Sequence, residues 1–439
     1  MLNTERKYGF IIFPETEERI DNVWLNITDE EIFLEVPYSL HGNPNWSIIL
    51  GVFNGLENAT FIDVFASGGG NGGGGSFRKF VISWMIKHCH FNTLEQIKFD
   101  FLSLRESAFK DWNNEKFFLE EDNFTYSLPD PITPIKFDLP LFSFTWELGH
   151  TINFNFKNLE IHGTSSIITK FKELKNWDYI IDYILKLKKL LLFLTNKDPK
   201  FTDIILNDSV ELIYRAPKLF SSRFPSAIKL NYQETKPHLS EIVKKWFNFK
   251  KLEPITDLVL EKHFQKDLPT HRHFFNLAVG LEAFHENFIL KNVPLQNNEL
   301  KENREQILKA IESNEELYLF FNNKSSEWGK PTLKDRLFHL EEIISQISSY
   351  IFEYDTIELI TKIKQTRDEI AHAGVYDKRF KENIELMIVT KIIEFVLRIK
   401  IYTLFELELK TNRTDMITEA NQLVKQLARL NDFKIQEKK

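Results

Sequence analysis

The run DTIELITKIKQTRDEIAHAG, residues 355–374, decides how the C-terminal half of the chain is read. Its apolar positions, Ile357, Leu359, Ile360, Ile363, Ile370 and Ala371, recur at helical spacing. Gly374 stands where a helix stops, just past the last helical residue. The spacing therefore predicts a helix over 355–371. Two residues near its end carry chemistry. Arg367 and His372, with four residues between them, place a permanent cation and a titratable imidazole in the last turn and a half. A helix advances about 100° per residue, so five steps set two side chains roughly 140° apart. A frayed helix end toward Gly374, or a second subunit, is needed to bring them together.

Working outward, nearly everything after Pro237 has the same period. Candidate helices cover 239–247, 255–264, 270–290, 299–313, 315–321, 332–349, 381–409 and 415–430. Pro331 followed by Thr332 is a good helix start. The segment after Lys381 keeps a long apolar period through Ile384, Met387, Ile388, Ile392, Phe395, Val396 and Ile399. A helical bundle of residues 237–439 accounts for this half.

The first half has a different period. Short segments rich in Ile, Val, Phe and Trp, most bounded by Asn, Asp, Gly or Pro, predict strands at 9–13, 22–27, 32–36, 46–53, 60–65, 77–84, 96–101, 141–147 and 151–156. A short helix at 105–112 would interrupt them. A helical pattern follows at about 166–196, then strand-like pieces at 203–207, 210–214 and 228–232. Residues 1–236 thus read as a β-rich sandwich or barrel-like domain, and the whole chain as α+β. The run Ser67-Gly-Gly-Gly-Asn-Gly-Gly-Gly-Gly-Ser76 joins two of the strands. Successive glycines can form an anion-binding nest, but no Gly-Lys-Ser/Thr follows, so it is not a phosphate-binding P-loop. A plain hairpin connection or an engineered linker accounts for it equally.

The composition is that of a folded protein: 439 residues, 43% hydrophobic and 27% charged, with 40 Phe. Cys89 is the sole cysteine, which rules out an intramolecular disulfide and suits a reducing compartment. The start MLNTERKYGF lacks the basic-then-apolar order of a secretory signal. The run Leu190-Leu-Leu-Phe-Leu194 is too short to span a bilayer. A soluble cytoplasmic protein is expected. The net charge of −7 argues against a globally basic nucleic-acid binder, so local patches decide. Two candidates are 185–200 and 244–251. The second, KKWFNFKK, interleaves aromatics with lysines, as a stacking surface for bases would. It equally fits an amphipathic helix whose lysines reach out to water.

Other clusters carry less. His88-Cys89-His90 offers three ligands in a row without a second cluster to complete a zinc site. His271-Arg272-His273 opens a helix. Glu282 and His285 lie about one turn apart on a mostly apolar helix, either approaching the Arg367 site from behind or buried as bundle polar residues. No G-x-S-x-G nucleophile elbow is present. The Arg367/His372 pair has a sound chemical logic. Histidine titrates near neutrality and can move the 2′-hydroxyl proton of RNA. Arginine offers a fixed, always charged fork for phosphate oxygens. Asp368 can orient either group. Taken alone, the same spacing also fits a surface arginine and a helix-end histidine that favours the C-terminal dipole.

Arg367-Asp-Glu-Ile-Ala-His372 resembles the R-polar-x-x-x-H motif of the HEPN superfamily of nucleases. Phe274-Phe-Asn-Leu-Ala-Val-Gly-Leu-Glu-Ala-Phe-His285 resembles the first long HEPN helix, and Thr332-Leu-Lys-Asp-Arg-Leu337 the start of the helix before the motif. The opening Gly9-Phe-Ile-Ile-Phe-Pro14, with a β-rich domain behind it, is similar to ApeA-type anti-phage proteins. The resemblance covers most of the chain. It implies a metal-independent endoribonuclease of bacterial defence through abortive infection, with tRNA or other cellular RNA as target. It implies no cofactor, a HEPN–HEPN homodimer with a composite site, and an N-terminal domain that senses a phage-derived trigger. Arg367 would stabilise phosphate charge, His372 would transfer the proton, and Asp368, in the polar slot after the arginine, would support them. The alternative is a non-catalytic HEPN module that pairs with a protein or binds RNA.

Overall fold

The computed structural model describes residues 5–28, 31–37, 45–72, 75–106, 134–155, 158–207, 210–214, 235–265, 268–289, 298–325, 356–373 and 383–407, with isolated residues between 418 and 429. The chain divides into two compact units, and the second takes over at Pro237.

The first unit is built on antiparallel strands. They are β1 (Glu5–Ile12), β2 (Arg19–Ile27), β3 (Ile32–Pro37), β4 (Asn45–Phe53), β5 (Leu56–Gly72), β6 (Gly75–Lys87), β7 (Lys98–Glu106), β8 (Ile135–Asp138), β9 (Phe142–Asn155), β10 (Asn158–Asn176), β11 (Phe201–Leu206) and β12 (Val210–Tyr214). The order β3-β2-β1-β4-β5-β6 closes on itself because β3 also pairs with β6. The result is a six-stranded barrel, the closed form of the β-rich domain expected. Closure removes the exposed strand edges an open sheet would leave. Inward positions alternate along each strand: Val23 and Leu25 on β2, Ile32, Leu34 and Val36 on β3, Phe80 and Ile82 on β6, all buried.

One long strand serves both the barrel and the sheet that extends from it. Residues Phe77 to Ile82 of β6 pair with β3 and close the barrel, whereas Trp84 to Ile86 pair with β12. From β12 the sheet continues as β11-β7-β10-β9-β8. Helix α1 (Trp177–Thr195) packs on β10 and β7 through Ile180, Tyr183, Ile184, Leu187 and Leu191. Asn176 caps it by accepting from the backbone N–H of Tyr179.

This corrects the helical expectation for 166–196: the helix begins only at Trp177, and Asn158–Asn176 is a 19-residue strand. Its buried Ile167, Thr169 and Phe171 alternate with outward Ile168, Lys170 and Lys172. Pairing with β9 from Asn158 to Phe171, and with β7 at Ser165–Lys170 and at Lys175 and Asn176, overrides the helix-forming lysines, glutamate and leucine of this stretch. The two strands expected at 141–147 and 151–156 are one, β9. The glycine run is part of the ladder, with Gly68 opposite Lys79 and Gly72 opposite Gly75. Arg105 and Glu106 are strand residues of β7; the remainder of the helix expected at 105–112, the strand expected at 228–232 and the helix expected at 332–349 lie outside the described residues, as does most of 415–430.

The second unit is helical: α2 (Leu239–Asn248), α3 (Glu253–Phe264), α4 (Thr270–Phe284), α5 (Asn298–Ala310), α6 (Glu315–Lys324), α7 (Thr356–Ala373) and α8 (Asn383–Leu404). Helix α4 is the hub, packing against α3, α7 and α8. Gly280 permits the approach, since a Cβ there would lie 3.3 Å from Leu397 Cδ2 and 3.4 Å from Leu258 Cδ1. No helix among the described residues is long and apolar enough to cross a membrane.

Candidate active site

Helix α7 buries Leu359, Ile360, Ile363 and Thr366, a stripe one helical face wide. Ile357, counted as apolar in the sequence pattern, is instead 56% exposed. Arg367 follows Thr366 and stands one turn beyond Ile363, so it lies on the margin of the buried stripe. Its side chain is 26% exposed. Its Nε is buried without a hydrogen-bond partner, while both terminal nitrogens are engaged. Nη2 donates to Glu282 Oε2 at 2.9 Å, and Nη1 donates to Asp368 Oδ1 at 3.0 Å. One guanidinium thus bridges a carboxylate of its own helix and one from α4.

The structure therefore brings Arg367 and Asp368 together and adds Glu282. Sequence spacing could raise Glu282 as a candidate but could not choose between a site residue and a core polar residue, because the two helices are set side by side only by packing. Its partner in that pairing, His285, is buried and opens a π turn, His285–Ile289, that continues α4. Such turns widen the helix and recur near functional sites.

His372 lies within α7, which stays α-helical through Ala373. Gly374 lies outside the described residues. Five regular helical steps carry His372 about 7.5 Å along the axis and about 140° round from Arg367. The fraying considered for this helix end does not begin before Ala373.

Residues of the other sequence clusters make contacts within the fold. His90 Nε2 lies 3.0 Å from the Gly51 carbonyl, and the Cys89 carbonyl accepts from Thr60 Oγ1 at 2.8 Å. Lys245 donates to the Leu404 carbonyl at 2.9 Å and Trp246 packs on Phe405, so this part of the 244–251 patch braces the bundle. In the 185–200 patch, Lys188 is buried and pairs with Asp198 at 3.3 Å. Among the described residues, no group of three or more His, Cys, Asp or Glu is placed to hold a metal ion.

A buried charge cluster lies where α3, α4 and α8 meet. Glu394 accepts from Lys262 Nζ at 2.7 Å through each oxygen and from Arg398 Nε at 2.9 Å. His273 Nε2 stands 3.9 Å away, beyond hydrogen-bond length. Burial alone would raise the Glu394 carboxyl, but Lys262, His273 and Arg398 outweigh it and hold the group well below the usual carboxylate range. This cluster ties α3 to α8, the two helices that pack against the one carrying Glu282.

Residues 6–253, more than half of the chain, match the ApeA N-terminal domain 1 family, and residues 275–411 match the Apea-like HEPN family. The chain belongs to the ApeA family. The ApeA-like HEPN region contains Glu282, Arg367, Asp368 and His372, and the ApeA N-terminal region contains the whole barrel from Arg6 onward. The chain is thus a HEPN-family defence protein, of a family generally associated with ribonuclease activity. No curated protein and no solved structure matches it.

Proposed function

We propose that this ApeA-family protein is an endoribonuclease of anti-phage defence, cleaving tRNA or other cellular RNA during abortive infection without a metal ion. The observation that carries the reading is Arg367 at the margin of a buried helical stripe, partly exposed and with its terminal nitrogens oriented by two carboxylates, within an ApeA-like HEPN region. In this reading the 2′-oxygen attacks phosphorus, the P–O5′ bond breaks and the 5′-oxygen leaves with a proton, while the Arg367 fork takes the charge that develops on the phosphoryl oxygens. His372 transfers the proton. Asp368 supports the arginine. Because a regular helix separates Arg367 from His372, the reading favours a composite site in which a second copy completes each half, in a homodimer formed through the HEPN regions. The barrel unit would restrain the site until a phage-derived trigger binds.

Arg367→Ala and His372→Ala should each abolish RNA cleavage and phage protection while the chain stays folded, and EDTA should leave wild-type cleavage unchanged. Full cleavage by either variant would sink the reading. Sequencing of RNA 3′ ends after infection, wild type against His372→Ala, identifies the target.

One observation favours a second reading. Arg367 already has two carboxylate partners, as a structural cation would. A non-catalytic interaction or RNA-binding module would then be expected. Under that reading, expression of wild type in infected cells slows growth no more than expression of His372→Ala.

A further inference from the structure

We infer that Glu282 is a positioning residue for Arg367. The inference rests on the ribonuclease reading of the site and adds a part to it. Arginine carries its charge at the end of a long, rotatable side chain, and orienting that charge on phosphate costs conformational freedom. A donor that is already aimed when charge develops avoids that cost at the moment of reaction. Asp368 cannot supply the aim by itself, because it is the next residue on the same helix and moves with it. Glu282 can, because it stands on α4, the helix that packs against three others.

The geometry is that of a two-point mount. Glu282 Oε2 holds Nη2 and Asp368 Oδ1 holds Nη1, at 2.9 and 3.0 Å. The Nε is buried without a hydrogen-bond partner, so the hold on the guanidinium comes from the two carboxylates. Guanidinium has five N–H groups. The two bonds to Glu282 and Asp368 use one on each terminal nitrogen, which leaves a second N–H on each for a phosphate oxygen. Arg367 and Glu282 are each about one-quarter exposed, at 26% and 25%, so the mount sits at the surface where RNA reaches it. Both carboxylates lie on the charge of one arginine, and an RNA phosphate must be drawn in against them. The mount therefore serves the transition state, where phosphoryl charge is largest, more than ground-state binding.

The test uses the full chain. With RNA as substrate, Glu282→Ala should lower kcat by at least about 10-fold with KM within about threefold of wild type. Glu282→Gln, which keeps the shape and one acceptor oxygen, should recover part of the loss. A merely structural glutamate would lower thermal stability and leave the kcat of the folded protein unchanged, and that outcome overturns the inference, as does cleavage faster than wild type. If Arg367→Ala itself cleaves fully, the ribonuclease reading fails rather than this part of it. A second measurement needs no turnover. With nitrogen-labelled arginine, a clamped Arg367 gives separate terminal N–H signals by NMR in wild type, merged in Glu282→Ala. Merged signals in wild type overturn the inference.

Discussion

Lys262 donates to both oxygens of Glu394, with its Nζ 2.7 Å from each, and so joins α3 to α8. Glu394 is 5% exposed and Arg398 is fully buried beside it. Removing the carboxylate would strand two cations in the core. Breaking a buried pair by deleting one partner costs about 3–5 kcal/mol. Glu394→Gln should lower the stability of the helical unit by about that amount, read by chemical denaturation.

The same carboxylate makes a pH prediction. Its folded value lies well below the ordinary 4.5, so its contribution is complete above 4.5 and is lost as pH falls toward the folded value. Thermal midpoints of the wild type should fall steeply in that acid window. Glu394→Gln should flatten the slope there and should not change it near neutrality.

Arg367→Lys tests geometry apart from charge. Lysine is a compact point charge and cannot bridge Glu282 and Asp368 with a planar fork. Cleavage should fall at least about 10-fold although the net charge is kept. Circular dichroism should match wild type, and wild-type activity in this variant would show that the fork is dispensable.

Gly9 tests barrel closure. A Cβ there would lie 2.0 Å from the Val52 carbonyl oxygen and 2.8 Å from Phe53 Cα, where β1 pairs with β4. Backbone atoms cannot step aside as a side chain can. Gly9→Ala should destabilise the barrel by about 1–3 kcal/mol or more. Gly55, at φ 71° and with only the flexible Lys7 Nζ 3.6 Å from such a Cβ, should cost only about 1–2 kcal/mol on the same change.

Tyr214 stacks on Trp84 with ring centroids 3.9 Å apart, where β12 pairs with β6. Burial, and then the charge of Asp198, push its phenol up to about 12. A raised folded value means the contribution is complete below the ordinary 10.0 and is lost as pH rises from there toward about 12. Alkaline unfolding should start in that window. Tyr214→Phe should remove one late phenolate from the ultraviolet titration; Tyr183, also raised by burial, should remain as another.

Local periodicity was legible wherever one face of an element decides its fate. Val210–Tyr214 was read to the residue, and α2, α3 and α7 to within about two, the helices because their buried residues repeat with the helical period. The reading failed at Asn158–Asn176. There the lysines and leucine favour a helix locally, and only the partner strands β9 and β7 make the alternation count.

The sequence by itself determined the two-part architecture, the helix that carries Arg367, and Asp368 as its neighbour, since all three follow from residues close together in the chain. Tertiary structure alone decided that β3 meets β6 to close a barrel, and that Glu282 meets Arg367 across 85 residues. Neither contact leaves a local pattern. Each exists because packing of Val23, Leu34 and Phe80 in one unit, and of Leu277, Ile363 and Ile392 in the other, fixes which strand edges and helix faces end up side by side.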